Sequence, residues 1–167
     1  MGELKAAPSV TLRPPQPEDG PAMHRLAASS ETLDVNTRYA YVLLAHHFSA
    51  TSAIAENSSG PVGFATGYHP PGRPDVLFVW QICVAAQARG QGVGAAMLDW
   101  LVDRADRDIV VEATVAPSNA ASNAMFGALA RRRNTTLAIS DGFPASLFPA
   151  PHEAEPLVRV GPITSKP

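Results

Sequence analysis

Between Val76 and Val84 the chain reads VLFVWQICV, its most hydrophobic strand-like segment, with shorter apolar and alternating stretches on either side. A run of this kind is expected at the centre of a sheet, where both faces are covered. Upstream, SVTLRP (Ser9 to Pro14) predicts a short strand stopped by two prolines. PEDGPAMHRLAASS predicts a helix, with Asp19 as its cap and Met23, Leu26 and Ala27 on one face. TRYAYVLLAHHF predicts a second, strongly apolar helix. TSAIAEN and PVGFATGYH flank SSG as a hairpin, which the loop HPPGRPD closes. Beyond the central strand, Val93, Met97, Leu98, Leu101 and Val102 recur at helical spacing. IVVEATV (Ile109 to Val115) is a further strand, and PSNAASNAMFGALARRR a helix that Ser118 or Asn119 can cap. From Asn134 the pattern is proline-rich and ambiguous, with PLVRVG as a last strand. The order alternates, and the fold class it predicts is α/β (α+β) with a mixed central sheet.

Composition narrows the picture. The 167 residues, 46% hydrophobic and 17% charged, suit one domain over 1–167, with a core of about 12–162 and flexible ends. Thirteen Lys and Arg against fifteen Asp and Glu give a net charge of -2, which offers no overall field for nucleic acid or an anionic membrane. MGELKAAPSV has no signal-like apolar stretch, Ala6 breaks the myristoylation pattern, and no run approaches the roughly 18 apolar residues of a membrane span. Cys83 is the single cysteine, so no intrachain disulfide forms and a cytoplasmic location is expected.

The least ordinary stretch is QARGQGVGAAML, which puts glycine at 90, 92 and 94 immediately before a helix. Each glycine costs an ordered element roughly 0.5–1 kcal/mol against alanine, so three of them need a reason. At a strand-to-helix turn, the first backbone N–H groups lack intrahelical partners and the helix dipole adds about half a positive charge. Glycines let an anion reach those donors, and Arg89 adds a charged fork suited to phosphate oxygens. Pyrophosphate fits such a turn, while a connector without ligand is the plainer reading. A P-loop would need Gly-Lys-Ser/Thr where Ala95 and Ala96 follow Gly94. A Rossmann fingerprint belongs after the first strand, whereas several elements precede this one.

RGQGVG (Arg89 to Gly94) resembles the Arg/Gln-x-x-Gly-x-Gly/Ala signature of the GCN5-related N-acetyltransferase (GNAT) superfamily, which binds the pyrophosphate of acetyl-CoA. The order of elements fits as well. TLDVNTRYAYVLLAHHF, VGFATGYHPPGRPDVLFVWQICV, ARGQGVGAAMLD and EATVAPSNAAS further resemble the diaminobutyrate acetyltransferase family of ectoine biosynthesis, from about Leu12 to Pro162. That resemblance implies a GNAT fold with helices on both faces of the sheet, acetyl-CoA as co-substrate, a homodimer, and acetyl transfer to the 4-amino group of L-2,4-diaminobutyrate in a ternary complex; no metal is expected, because the sequence shows no ligand cluster. It implies cofactor contacts at Arg89, Gly90, Gln91, Gly92, Val93 and Gly94, with the backbone of Ile82 and Val84 polarising the thioester carbonyl, and Asn119 as a partner for the pantetheine arm.

The chemistry asks for more. A substrate amine with a solution pKa of about 10.4 must lose a proton before it attacks. Many superfamily members carry a Glu on the central strand, where this chain has Gln81. The candidate bases are therefore Glu112 on the next strand, and more remotely Asp34 and Glu153. Asp34 can pair with the substrate ammonium, Trp80 can offer an apolar wall or cation–π face, and Glu153 can close the site. Their plainer roles are helix cap, core packing and surface charge. The superfamily's tyrosine acid is replaced by Phe126, with Tyr39 and Tyr41 as other sources of a proton. Adjacent His46 and His47 point about 100° apart on a helix and do not suit one metal. Cys83 reads as core packing. Two other functions stay open: acetylation of another small amine (diamine, polyamine or drug), and a catalytically silent acyl-CoA-binding module.

Overall fold

The central apolar run forms strand β4 (Val76–Val84). The computed structural model describes residues 9–165; most of the ends expected to be flexible, those before about residue 12 and after about 162, lie outside the described residues. Along the chain come β1 (Thr11–Arg13), α1 (Gly20–Ala28), α2 (Arg38–His47), β2 (Ala53–Asn57), β3 (Gly60–Tyr68), β4, α3 (Val93–Asp103), β5 (Ile109–Thr114), α4 (Ala120–Arg132), β6 (Leu137–Phe143) and β7 (Glu155–Ile163). Among the described residues seven strands pair in the order β1-β2-β3-β4-β5-β7-β6, with β4 fourth, and the sheet is mixed: β4 and β5 run parallel, while β1/β2, β2/β3, β5/β7 and β6/β7 are antiparallel. No helix of the described residues is long and apolar enough to cross a membrane.

The described chain gathers into two compact units, each assembled from two stretches. One holds the residues up to Thr66 together with Gln81–Trp100; the other holds Gly67–Trp80 and the chain from Leu101 onward. The first is built on a core of Met23, Ala27, Tyr41, Leu44, Ala45, Ile54, Phe64 and Cys83. Its helices α1 and α2 approach so closely that a Cβ on Gly20 would lie 2.6 Å from Val42 Cγ2 and 2.9 Å from its Cα. Glycine is therefore needed there for contact, not for flexibility. Asp19, expected to cap α1, makes no side-chain cap bond. Its carboxylate instead takes both Arg13 guanidinium nitrogens, at 2.7 and 2.8 Å, and the Gln16 N–H at 2.7 Å. A buried carboxylate gains more from a charged fork than from one amide, so Asp19 ties β1 to the start of α1.

In the second unit, β5 is buried along Ile109–Ala113, and α4 packs against β7. Asn119 caps α4, its side chain accepting from Ser122 N at 3.1 Å, and Asn123 Nδ2 donates to the carbonyls of Ala116 and Asn119. Strand β6 was not foreseen: six of its seven residues are exposed, so no apolar face announces it. Its pairing rests on backbone proximity, because a Cβ at Gly142 would sit 2.1 Å from the Glu155 carbonyl oxygen of β7.

Candidate active site

The glycine turn lies where β4 gives way to α3. Gly90 and Gly92 have φ of +74° and +76°, the left-handed region that L side chains rarely adopt, and a Cβ built on either meets nothing within 4 Å. The backbone there is thus both turned and open. Gly94 is the second residue of α3. Ala96 N–H bonds to Gly92 O at 2.9 Å and begins the helical ladder, so the amides of Val93, Gly94 and Ala95 precede the first intrahelical bond. Arg89 is exposed and its Nε donates to Val84 O at 3.1 Å, which sets the guanidinium between β4 and the turn. Gln91 Nε2 closes the turn on Gln87 O at 2.9 Å. Open amides at a helix start, beside a held arginine, suit a phosphate-type anion. The residues present fit the diphosphate of coenzyme A.

On β4, Gln81 N–H donates to Thr66 Oγ1 at 3.3 Å and Ala85 N–H to Val62 O at 2.8 Å, so the odd-numbered amides face β3. Amides alternate along a strand, which aims those of Ile82 and Val84 at the opposite edge. The β4–β5 register runs from Val76↔Val110 to Phe78↔Glu112, and β4 continues beyond it to Val84. Two strand amides directed from such an edge suit a carbonyl oxygen that gains charge.

Asp34 does not cap a helix. The cap of α2 is Thr37, whose side chain accepts from Ala40 N at 3.2 Å. Asp34 is exposed, and among the described residues its carboxylate takes no hydrogen bond or ion pair. Only its backbone carbonyl is engaged, by Gln81 Nε2 at 2.9 Å. Trp80 is 46% exposed and so is not spent on core packing. Glu153 is also exposed, and accepts a short hydrogen bond from Ser118 Oγ. Beside it, His152 stacks on Phe148 and faces Glu155, which also accepts from Thr114 Oγ1 at 2.7 Å. Within one unit the chain thus collects Asp34, Ile82, Val84 and the glycine turn, and within the other Trp80, Glu112, Asn119 and Glu153.

Glu112 is placed differently from the base expected of it. It is 2% exposed, and both oxygens are occupied: Arg73 donates to Oε2 at 3.1 Å and to Oε1 at 2.6 Å, while Arg159 donates to Oε1 at 2.7 Å. An amine proton would have to land on an oxygen already held by guanidinium groups, so this geometry favours an ion-pair anchor. Arg73 in turn is raised further above its ordinary pKa, chiefly by its hydrogen bond to Glu112. Tyr41, at 0% exposure, gives its hydroxyl to Gln81, whereas Tyr39 stands in solvent. Cys83 is buried and its thiol donates to Leu26 O at 3.3 Å; burial pushes its pKa up, against a smaller downward pull from Arg89. No group of three or more His, Cys, Asp or Glu able to hold a metal occurs among the described residues. Sequence reasoning missed Thr37, Arg73, Arg159 and Ser118 as partners. Only Thr37, a cap-type residue before an apolar run, carried a local signal.

Residues 20–129 match the acetyltransferase (GNAT) family. The chain is 45% identical to an L-2,4-diaminobutyric acid acetyltransferase of Shouchella clausii, over 95% of this chain and 90% of that protein. It is 42% identical to one of Streptomyces coelicolor, over 90% and 92%. Among solved structures, the diaminobutyrate acetyltransferase EctA from Paenibacillus lautus, in complex with its substrate L-2,4-diaminobutyric acid and coenzyme A, superposes with a TM-score of 0.88. That match has 36% identity and covers 96% of this chain and 99% of that one. Ard1 from Thermoplasma volcanium, at 18% identity and a TM-score of 0.73, shares the fold.

Proposed function

Because this chain belongs to the GNAT acetyltransferase family and groups with its diaminobutyrate acetyltransferases over nearly its whole length, we propose that it acetylates L-2,4-diaminobutyrate at the 4-amino group, the step that leads toward ectoine. Acetyl-CoA supplies the activated acetyl thioester. The observation that carries the reading is the open left-handed turn at Gly90 and Gly92, which leaves the first amides of α3 and Arg89 to hold the diphosphate. Around that anchor, the amides of Ile82 and Val84 polarise the thioester carbonyl, and Asn119 meets the pantetheine arm. Asp34 pairs with the substrate's 2-ammonium while Trp80 walls the site and Glu153 closes it.

That pairing also selects the nitrogen. A carboxylate beside an ammonium favours its charged form, so the 2-amine stays protonated and the 4-amine alone is free to attack. The reaction is direct transfer between two bound substrates, with no acyl-enzyme. A homodimer completes the reading on the strength of the family resemblance, and a cytoplasmic location on the single cysteine, Cys83; light scattering on the purified protein tests the first. The decisive experiment is coenzyme A thiol release with a panel of amines, with NMR of the product from L-2,4-diaminobutyrate. Release with the 4-acetyl product supports the proposal; acetylation mainly at the 2-amine, or a preference for polyamines, overturns it.

A further inference from the structure

The central strand carries an amide where many superfamily members have a carboxylate, and both ends of that amide are hydrogen-bonded. Gln81 is 6% exposed. Its Nε2 donates to the backbone carbonyl of Asp34 at 2.9 Å, and its Oε1 accepts from Tyr41 Oη at 3.1 Å. The Tyr41 hydroxyl also accepts from the Asn36 N–H at 3.5 Å, and its ring is fixed edge-on against His24 and Phe64. A carbonyl can only accept, so the atom facing Asp34 must be the NH₂ group, which leaves Oε1 for the tyrosine proton. The segment between α1 and α2 contains no helix or strand, yet two of its residues are bonded to this pair of buried side chains.

We propose that Gln81, oriented by Tyr41, is a positioning residue that clamps the Leu33–Asn36 loop to β4 and so sets where the Asp34 carboxylate stands. The inference rests on Asp34 as the substrate-ammonium partner. It also accounts for the amide itself. A glutamate has nearly the same shape, but ionised it would turn an oxygen toward the Asp34 carbonyl and replace a hydrogen bond by repulsion.

Gln81→Glu is the informative change, because protonation restores an O–H donor. At pH 8 its KM for diaminobutyrate should rise about tenfold while its KM for acetyl-CoA stays within about twofold. Relative to the wild type at the same pH, which cancels contributions from His24 and Asp34 themselves, the defect should shrink toward pH 6. Backbone amides 33–37 should exchange hydrogen faster in the variant at pH 8. Tyr41→Phe, which deletes one hydroxyl from the core, should show a milder version of the same split and faster exchange at Asn36. Asp34→Asn separates the two ideas. If it leaves kcat/KM unchanged, the ammonium reading fails and the exchange data alone judge the clamp. If it lowers kcat/KM while Gln81→Glu changes neither the diaminobutyrate KM nor exchange at 33–37, the clamp is overturned. Equal losses toward both substrates would overturn it too.

Discussion

Glu112 and Arg159 stand directly opposite each other on β5 and β7, with Arg159 Nη1 2.7 Å from Glu112 Oε1. Arg73 completes the group from the β3–β4 loop, so one buried carboxylate holds two half-exposed guanidinium groups. Removing the charge from such a carboxylate leaves donors without their acceptor. We expect Glu112→Gln to melt several degrees lower than the wild type while the folded enzyme keeps kcat within about threefold. Thermal denaturation and steady-state kinetics check it. A stable Glu112→Gln protein with kcat reduced a thousandfold would restore Glu112 as the base.

Gly92→Glu should separate strain from ligand binding. At φ +76° a side chain costs about 1–2 kcal/mol, but its Cβ meets no atom within 4 Å, so the fold should survive. The added carboxylate would face the diphosphate, and KM for acetyl-CoA should rise tenfold or more. Gly72→Ala is the control: its φ is +74° with the same open space, but it lies in the β3–β4 loop. It should lose similar stability and leave acetyl-CoA binding alone. Circular dichroism and acetyl-CoA titration measure both.

The Asp19 clamp should make stability acid-sensitive. Burial pushes the Asp19 carboxyl up, but the hydrogen bonds from Arg13 and the Gln16 N–H outweigh it and hold the carboxyl below its ordinary value. A depressed carboxyl stabilises the fold fully above the unfolded pKa of about 3.9, and that contribution is lost as pH falls through the lower folded value. Asp19→Asn should therefore be less stable than the wild type at pH 7, with the gap narrowing steadily below about pH 4. Urea midpoints at several pH values give the comparison.

Cys83 should be chemically silent. Buried, raised in pKa and bonded to Leu26 O, it stays a thiol and offers no nucleophile at neutral pH. Cys83→Ala should keep wild-type kcat, and native protein should resist a thiol reagent that labels the unfolded chain fully. Ping-pong kinetics, or a folded but dead Cys83→Ala enzyme, would contradict direct transfer.

Legibility followed burial. Strand β4 was readable to the residue because a nine-residue apolar run bounded by a proline-rich loop has few alternatives. Strand β6 was not, because both its faces meet solvent and its register depends on Gly142 against the backbone of β7. The glycine pattern is legible as a turn, since Gly90 and Gly92 take positive φ, while Asp34, Trp80 and Glu153 stand out in the sequence by residue type and are all exposed. The partners of Glu112 were hidden by distance along the chain, 39 residues to Arg73 and 47 to Arg159. Asp34 and Thr37 are both cap-type residues ahead of the same apolar run, and the backbone gives the cap position to Thr37.

Each compact unit is discontinuous in sequence, with exchanges at Thr66/Gly67, Trp80/Gln81 and Trp100/Leu101. No single cut therefore frees either one. A hybrid with a relative, joined once at residue 100, would inherit Arg73 from one parent and Glu112 with Arg159 from the other, which divides one ion group between two parents. Grafting 67–80 together with 101–167 keeps that group within one parent. Natural recombination faces the same arithmetic: one crossover between residues 73 and 159 divides the charge group, whereas exchanging a compact unit whole takes three junctions.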